Sequence, residues 1–428
     1  MMGFSMDRKG FIRTIAASGA GAFVGAKLFG KLETPSNSAS PGKWAIGNWD
    51  QVRVLFPLGS EVTYLNTGGL GPTSQPVLDA VLEQNQIQAR TGEHFHKLLG
   101  VARETAADFF GVNSSEIAFV RNASEGNSVI SNGLSLRKGD EVVFDSHAHP
   151  GGSFAWMNRQ KLDGVKVKIF EPSSASVAEN LERLFDQVTK RTRVIQVSHI
   201  TATTGLIFDI PAIAAEAKRR GIWFHVDGAQ SAGMIPVNLK ELDCDSYATS
   251  GHKWLNGPIE TGLVYISSER NDEVVCSHIG AYSNDVYELP STLSYADSAV
   301  RHEYGTRNSA SVVGLQTAFK LQNEIGREAI AKHGAHLSQL AFEGLSGIRD
   351  LEFLSPSDPE MRSSILTFRV PHLECGVINS ALLSDHEIRC RMVTERGLNG
   401  VRSSWHVYHQ EEDVDRYVKA VRSVVASL

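Results

Sequence analysis

The run ATSGHKWLNGPIETG, residues 248–262, holds one lysine, Lys253, between a histidine and a tryptophan in a frame of small residues closed by a Gly-Pro turn. A surface lysine needs no such frame. A lysine that must be held still and kept neutral part of the time does, because the amine and not the ammonium is the nucleophile and base. Upstream, FHVDGAQS closes the apolar run IWFHV with Asp227 and turns through Gly228. A carboxylate placed there is costly unless it meets a partner. It fits either a turn residue capping the next helix or the counter-charge of a cationic ring nitrogen. Earlier still, RNASEGN follows a strand-like run, and its small residues Ala123 and Ser124 open a helix. The N–H groups and dipole at such a helix start suit a phosphate, although Asn-Ala-Ser is equally a good N-cap.

The order of the three features narrows the chemistry. A phosphate turn, a strand-end aspartate and a framed lysine together suit pyridoxal phosphate, with the phosphate on the helix start, the aspartate on the pyridine nitrogen and the lysine on the aldehyde.

The elements that must position these residues read as an α/β fold. QPVLDAVLEQNQIQARTG, LLGVARETAADFFG and PAIAAEAKRRG carry helical spacing. SSEIAFV, DEVVFDS, VKVKIFE, TRVIQVSHI, IWFHVDGAQ and TGLVYIS are short β-rich runs between them. That alternation predicts a mainly parallel sheet buried on both faces. A long helical region follows residue 305, then a smaller α+β segment with SSILTFRV as a strand and DVDRYVKAVRSVVASL as a closing amphipathic helix. The expected organisation is an N-terminal segment over 41–69 packing on a small domain, a large cofactor-binding domain over 70–305, and the small C-terminal domain over 306–428. A length of 428 residues agrees with two domains, and 42% hydrophobic with 21% charged residues is a globular composition.

A net charge of −6 gives no electrostatic case for nucleic acid. Cys244, Cys276, Cys375 and Cys390 are scattered with no CxxC spacing, which argues against a zinc site or a disulfide scaffold. No apolar run reaches the ~20 residues that span a bilayer. Residues 1–40 differ from the rest. Arg8, Lys9 and Arg13 precede a Gly/Ala-rich stretch with no acid between Arg8 and Glu33, then a Ser/Pro spacer. DRKGFIR resembles a twin-arginine export signal with Lys9 in place of the second arginine, which predicts a periplasmic protein; a cytoplasmic enzyme with an N-terminal tail is the alternative.

YLNTGGLGPTSQPV (64–77), VDGAQS, SGHKWLNGP, YGTRNSAS and VRSSWHVYHQEEDVD occur together and in this order. In that joint occurrence the chain resembles the class V, fold-type I pyridoxal-phosphate enzymes, the superfamily of cysteine desulfurases and isopenicillin N epimerase-like proteins. The resemblance implies a mainly parallel seven-stranded sheet and a homodimer with shared active sites. It implies that Ala123, Ser124, Ser250 and His252 hold the cofactor phosphate, that Lys253 forms the Schiff base, and that Asp227 faces the ring nitrogen. It places Gln230 at the ring hydroxyl and His149, otherwise an ordinary loop histidine, against the ring. Gly305 and Thr306 would reach the neighbouring subunit's phosphate. Arg402, assisted by Arg391, would clamp the substrate carboxylate, where each alone reads as a surface ion pair.

Three departures shape the expected reaction. RMVTERGLNGVR, after the first of these arginines, lacks the nucleophilic cysteine of desulfurases, and Cys390 reads as a buried structural thiol. Ala202 stands where many relatives carry an asparagine. GTRN leans toward the epimerase-like branch. Epimerisation or racemisation of an amino acid is therefore the leading expectation, with C–S β-elimination or transamination as alternatives, and desulfuration or a non-catalytic binding role behind them.

Overall fold

A computed structural model describes residues 47–428 apart from Ser60 and Phe95. The export-signal reading of residues 1–40 lies outside the described residues. Seven strands form the main sheet: β1 (Ile117–Val120), β2 (Glu141–Asp145), β3 (Lys166–Phe170), β4 (Thr192–Ser198), β5 (Trp223–Asp227), β6 (Ser246–Ser250) and β7 (Gly262–Ile266). Their order is β1-β7-β6-β5-β4-β2-β3. All run parallel except β7, which is antiparallel to both its neighbours. The expected mainly parallel seven-stranded sheet is thus the observed one, and the fold is that of fold-type I enzymes.

Six of these strands were visible as apolar runs. β6 was not, and the Lys253 region read from sequence as loop-like begins as this strand. Its sequence SYATS has little apolar character, yet all five residues are buried. The polar side chains are tolerated because each has a buried partner. The Trp223 indole N–H donates to Ser246 Oγ at 2.9 Å, Thr249 Oγ1 donates to the Gly228 carbonyl at 3.0 Å, and Ser250 Oγ accepts from the Ala123 N–H at 2.9 Å.

Helices α1 (Gln75–Thr91), α2 (His96–Phe110), α3 (Ala123–Gly133), α4 (Pro150–Asp163), α5 (Val177–Asp186) and α6 (Ile210–Arg219) lie between and around these strands. The long helical region expected after residue 305 is two helices, α7 (Ser309–Ile325) and α8 (Arg327–Leu345), broken at Gly326, whose φ of 97° no other residue adopts readily. Val312, Leu315 and Phe319 of α7 join Phe109, Phe110, Phe224 and Tyr247 in one apolar core. A second core gathers Leu337 and Ala341 of α8 with Ile378 of α9 (Cys375–His386), Tyr417 of α10 (Glu411–Ser427) and a four-stranded antiparallel sheet. That sheet is ordered β8 (Glu352–Phe353), β9 (Ile365–Arg369), β11 (Gly400–Ser404) and β10 (Arg391–Val393).

Before α1 the chain runs past this second core. Val52 and Phe56 pack with Ile330, Val407 and Tyr408, Arg53 pairs with Asp413 at 2.7 Å, and Thr63–Tyr64 pairs in parallel with Ile388–Arg389. The chain then turns at Gly71, whose N–H donates to the His252 carbonyl at 2.7 Å. A Cβ on Gly71 would stand 1.9 Å from the Lys253 carbonyl oxygen. Backbone cannot yield there, so Gly71→Ala is expected to destabilise the protein by about 2–3 kcal/mol. Urea unfolding checks this, and an unchanged midpoint contradicts the close approach. Among the described residues no helix is long and apolar enough to cross a membrane, and no cluster of side chains could hold a metal ion.

Candidate active site

Strand ends of an open α/β sheet deliver functional groups to one edge. Asp145 ends β2, Ser198 ends β4, Asp227 ends β5 and Ser250 ends β6. Above that edge lies a cavity of about 250 Å³. Every candidate cofactor- or substrate-binding residue from the sequence lines it, except Gly305 and Thr306: Ala123, Ser124, His149, Asp227, Gln230, Ser250, His252, Lys253, Arg391 and Arg402. Thr306 instead lines a neighbouring cavity with Arg121, Tyr304 and Arg307, and Gly305 lies in the turn before it.

The frame around Lys253 is a set of anchored carbonyls. The His252 carbonyl accepts from Gly71, the Lys253 carbonyl from the Asn256 N–H at 3.1 Å, and the Trp254 carbonyl from Gln322 Nε2 at 2.6 Å. The loop is therefore tied to the segment before α1, to itself and to α7. None of these bonds uses the lysine side chain, which is left to the cavity.

Electrostatics keep that side chain reactive. Burial, with Arg402 and Arg391 nearby and against the pull of Asp227, lowers the Lys253 ammonium to about 8. Burial and Lys253 lower His252 to about 4, and the same two causes lower His149. The amine fraction of Lys253 grows as pH rises toward 8. The rate at which cofactor-free chain takes up pyridoxal phosphate is therefore expected to rise about tenfold per pH unit below that value and to level off above it. Stopped-flow absorbance reads the rate; an inflection near the ordinary lysine value contradicts the shift.

Asp227 is buried, with Oδ1 accepting from the Ala229 N–H at 3.0 Å and Oδ2 from Asn127 Nδ2 at 2.9 Å. Gln230 donates to the Gly68 carbonyl at 3.0 Å and accepts from the Trp254 indole at 2.7 Å. One N–H and one lone pair of its amide remain. Arg391 and Arg402 are register partners on β10 and β11, which is why both reach one cavity. The fully buried Arg402 donates to the Ala202 carbonyl at 2.7 Å and to Asn66 Oδ1 at 2.8 Å, and Arg391 pairs with Glu395. Ala202 thus contributes a backbone oxygen to the cavity wall.

At the other end, Asn122 caps α3 by accepting from the Glu125 N–H at 3.0 Å. The Ala123 N–H goes to Ser250 Oγ, which leaves that hydroxyl's own proton and Ser124 for an anion. The residues present fit pyridoxal phosphate by three observations. His252 Nδ1 is a buried polar atom on the cavity with no partner among the described residues. Gly151 and Gly152 keep the floor open, since a Cβ on either would meet Ser124 Oγ at 2.2 Å or Asp227 Oδ2 at 2.9 Å. Lys253 and Asp227 supply the amine and the carboxylate that the cofactor's aldehyde and ring nitrogen require. None of the four cysteines lines the cavity. Cys390 is the buried thiol expected, raised to about 12 by its surroundings.

Sequence reasoning missed Asn66, Gly68 and Asn127 as site residues. The Gly-Gly pair after Asn66 was the available signal, since it allows close approach; Asn127 carried none beyond its place one helical turn past Ala123.

A mainly parallel sheet with a framed lysine and a strand-end aspartate at its edge defines a fold-type I pyridoxal-phosphate enzyme. The family model for aminotransferase class-V matches residues 64–417. Among curated proteins, the chain is similar to a "Probable cysteine desulfurase" of Pyrococcus abyssi, 28% identical over 89% of this chain and 98% of that protein. It is also similar to the isopenicillin N epimerase of Amycolatopsis lactamdurans, 26% identical over 88% of this chain and 98% of that one. Among solved structures, the apo cysteine desulfurase of Thermococcus onnurineus NA1 superposes with a TM-score of 0.81 at 27% identity, covering 90% of this chain and 99% of that one. The chain belongs to the aminotransferase class-V family and is a pyridoxal-phosphate-dependent enzyme.

Proposed function

We propose that this enzyme moves a proton at Cα of an amino acid, with racemisation or epimerisation as the outcome. The observation that carries the reading is the cavity's inventory: a lysine lowered to about 8 beside two arginines and no thiol. Pyridoxal phosphate, when bound, supplies the electron sink for the bond broken at Cα. Ser124, Ser250 and His252 hold the phosphate end, with the α3 dipole behind them. With the cofactor bound, Asp227 would favour a proton on the ring nitrogen, Gln230 would meet the ring hydroxyl with its spare N–H or lone pair, and His149 would cover the ring face. Arg402 orients the substrate carboxylate through a planar fork, with Arg391 beside it. Lys253 takes the Cα proton from one face as a neutral amine, and inversion requires a proton returned to the opposite face.

The test is a panel of L-amino acids and cysteine conjugates incubated in D₂O. Deuterium at Cα with inverted configuration supports the reading. Retained configuration with amino transfer to an added 2-oxo acid replaces it with transamination. A second reading, β-elimination from a cysteine-type substrate, is favoured by the relatives named as cysteine desulfurases together with the lack of a thiol in this cavity. Pyruvate and ammonia in the same panel identify it.

The active unit is a homodimer, with Gly305 and Thr306 serving the partner subunit's phosphate site; their place outside this chain's own cavity supports it. Mixing Lys253→Ala chains with Thr306→Ala chains then restores activity, and a monomer by light scattering rules the reading out. Arg8, Lys9 and Arg13 support export by the twin-arginine route. Arg8→Lys should retain a reporter fusion inside the cell, and undiminished export counts against it.

A further inference from the structure

Beneath the cavity floor runs a line of buried polar side chains that the proposed chemistry does not use. The Trp223 indole Nε1 lies 2.9 Å from Ser246 Oγ, which lies 2.8 Å from His225 Nδ1. His225 Nε2 lies 2.8 Å from Asn127 Oδ1, and Asn127 Nδ2 lies 2.9 Å from Asp227 Oδ2. His225 and Ser246 are fully buried, and Asn127 is 1% exposed.

Hydrogen positions follow from the two ends. The indole N–H is a donor only, so Ser246 Oγ accepts from it and has its own proton for His225 Nδ1. At the other end, Asn127 Nδ2 faces two acceptors, the Asp227 carboxylate and the Gly151 carbonyl at 3.3 Å. The amide orientation is thereby set with Oδ1 toward His225, and Nε2 must carry the imidazole proton. The Asn127 end thus fixes the tautomer, and in it the Ser246 hydroxyl donates to the bare Nδ1. We propose that Trp223, Ser246, His225 and Asn127 form a one-way chain of donors that ends on Asp227 and holds its carboxylate aimed at the cavity, which makes His225 and Asn127 positioning residues.

The chain delivers dipoles and no charge. Burial lowers His225 to about 4, so it is neutral across the working range. The Asp227 charge is left for a cation entering the cavity. The other titratable groups acting on Asp227 or responding to it are Asp145 from β2, Tyr247 from β6, His149 before α4 and Lys253 after β6. Among these, buried Asp145 is raised to about 7 by desolvation and by Asp227, so it is partly protonated near neutral pH and adds less than a full negative charge beside Asp227. The consequence for the cofactor rests on Asp227 facing the ring nitrogen; the direction of the chain does not.

The direct test needs no substitution at the site. Long-range ¹H–¹⁵N spectra of histidine-labelled protein, cofactor-free and loaded, should show His225 as the Nε2–H tautomer at neutral pH. A proton on Nδ1, or a charged ring, overturns the proposal. Ser246→Ala removes the hydroxyl facing Nδ1 while the Asn127 end still holds the ring, so the Nε2–H tautomer should persist; a proton moved to Nδ1 counts against the chain. In Asn127→Ala the carboxylate loses one of its two N–H donors, becomes more basic and competes for the ring proton. The absorbance midpoint of the Lys253-linked cofactor should then rise by about one pH unit. An unchanged midpoint in a folded, loaded variant overturns the positioning role. A wild type that binds no cofactor would instead overturn the reading of the site, while the tautomer still decides the chain.

Discussion

Lys253→Ala is expected to lower kcat by at least about 10³-fold and to remove the absorbance band of lysine-bound cofactor. The frame explains why such a loss can be assigned to chemistry. The carbonyls of His252, Lys253 and Trp254 are anchored by backbone and side-chain donors that the substitution does not touch. The variant should therefore keep its fold, with the cavity enlarged by the missing side chain. It also loses the cation beside Asp227, and the lowering that Lys253 imposes on His149 and His252 disappears with it. Steady-state rates and the visible spectrum check the prediction together. A variant retaining a tenth of wild-type turnover would exclude Lys253 as the proton-moving group.

Asp227→Asn should cost about 10²–10³-fold in kcat with little change in volume. The substitution removes charge from a buried carboxylate whose two oxygens already accept from Ala229 and Asn127. One atom of the new amide would have to face the Asn127 amide nitrogen, and only its oxygen can do so, which leaves the new NH₂ toward the Ala229 N–H. That donor clash adds a cost of about 1–3 kcal/mol. Relief of the charge should also let Asp145 fall from about 7, since Asp227 is one of the groups holding it up. The measurement is kcat together with cofactor dissociation on dilution. Activity within about threefold of wild type would show that the ring nitrogen needs no counter-charge here.

Much of the large sheet was legible because its strands are apolar and buried on both faces, so VVF, VIQV, WFHV and LVYI announce themselves. β6 was hidden for the opposite reason. Ser246, Thr249 and Ser250 are buried by virtue of partners on β5, after β5 and at the start of α3, which no local pattern displays. The candidate cofactor-binding residues other than Gly305 and Thr306 converge on one cavity, whereas Asn66 and Asn127 are tied to Arg402 and Asp227 only through folding. Gly305 and Thr306, which their motif assigned to a neighbouring subunit's site, lie outside this chain's own cavity, so a single chain leaves their role to the proposed dimer.

Residue type and order alone were enough for the class of chemistry, because an amine, a carboxylate and a helix start each placed at or just after a strand end of one sheet can serve one cofactor. Tertiary structure alone decided how that carboxylate is held and how the amine loses its proton. Both depend on burial and on directional bonds between residues as far apart in sequence as Asn127 and Asp227, or Gly71 and His252, and those terms exist only once the chain has closed around them.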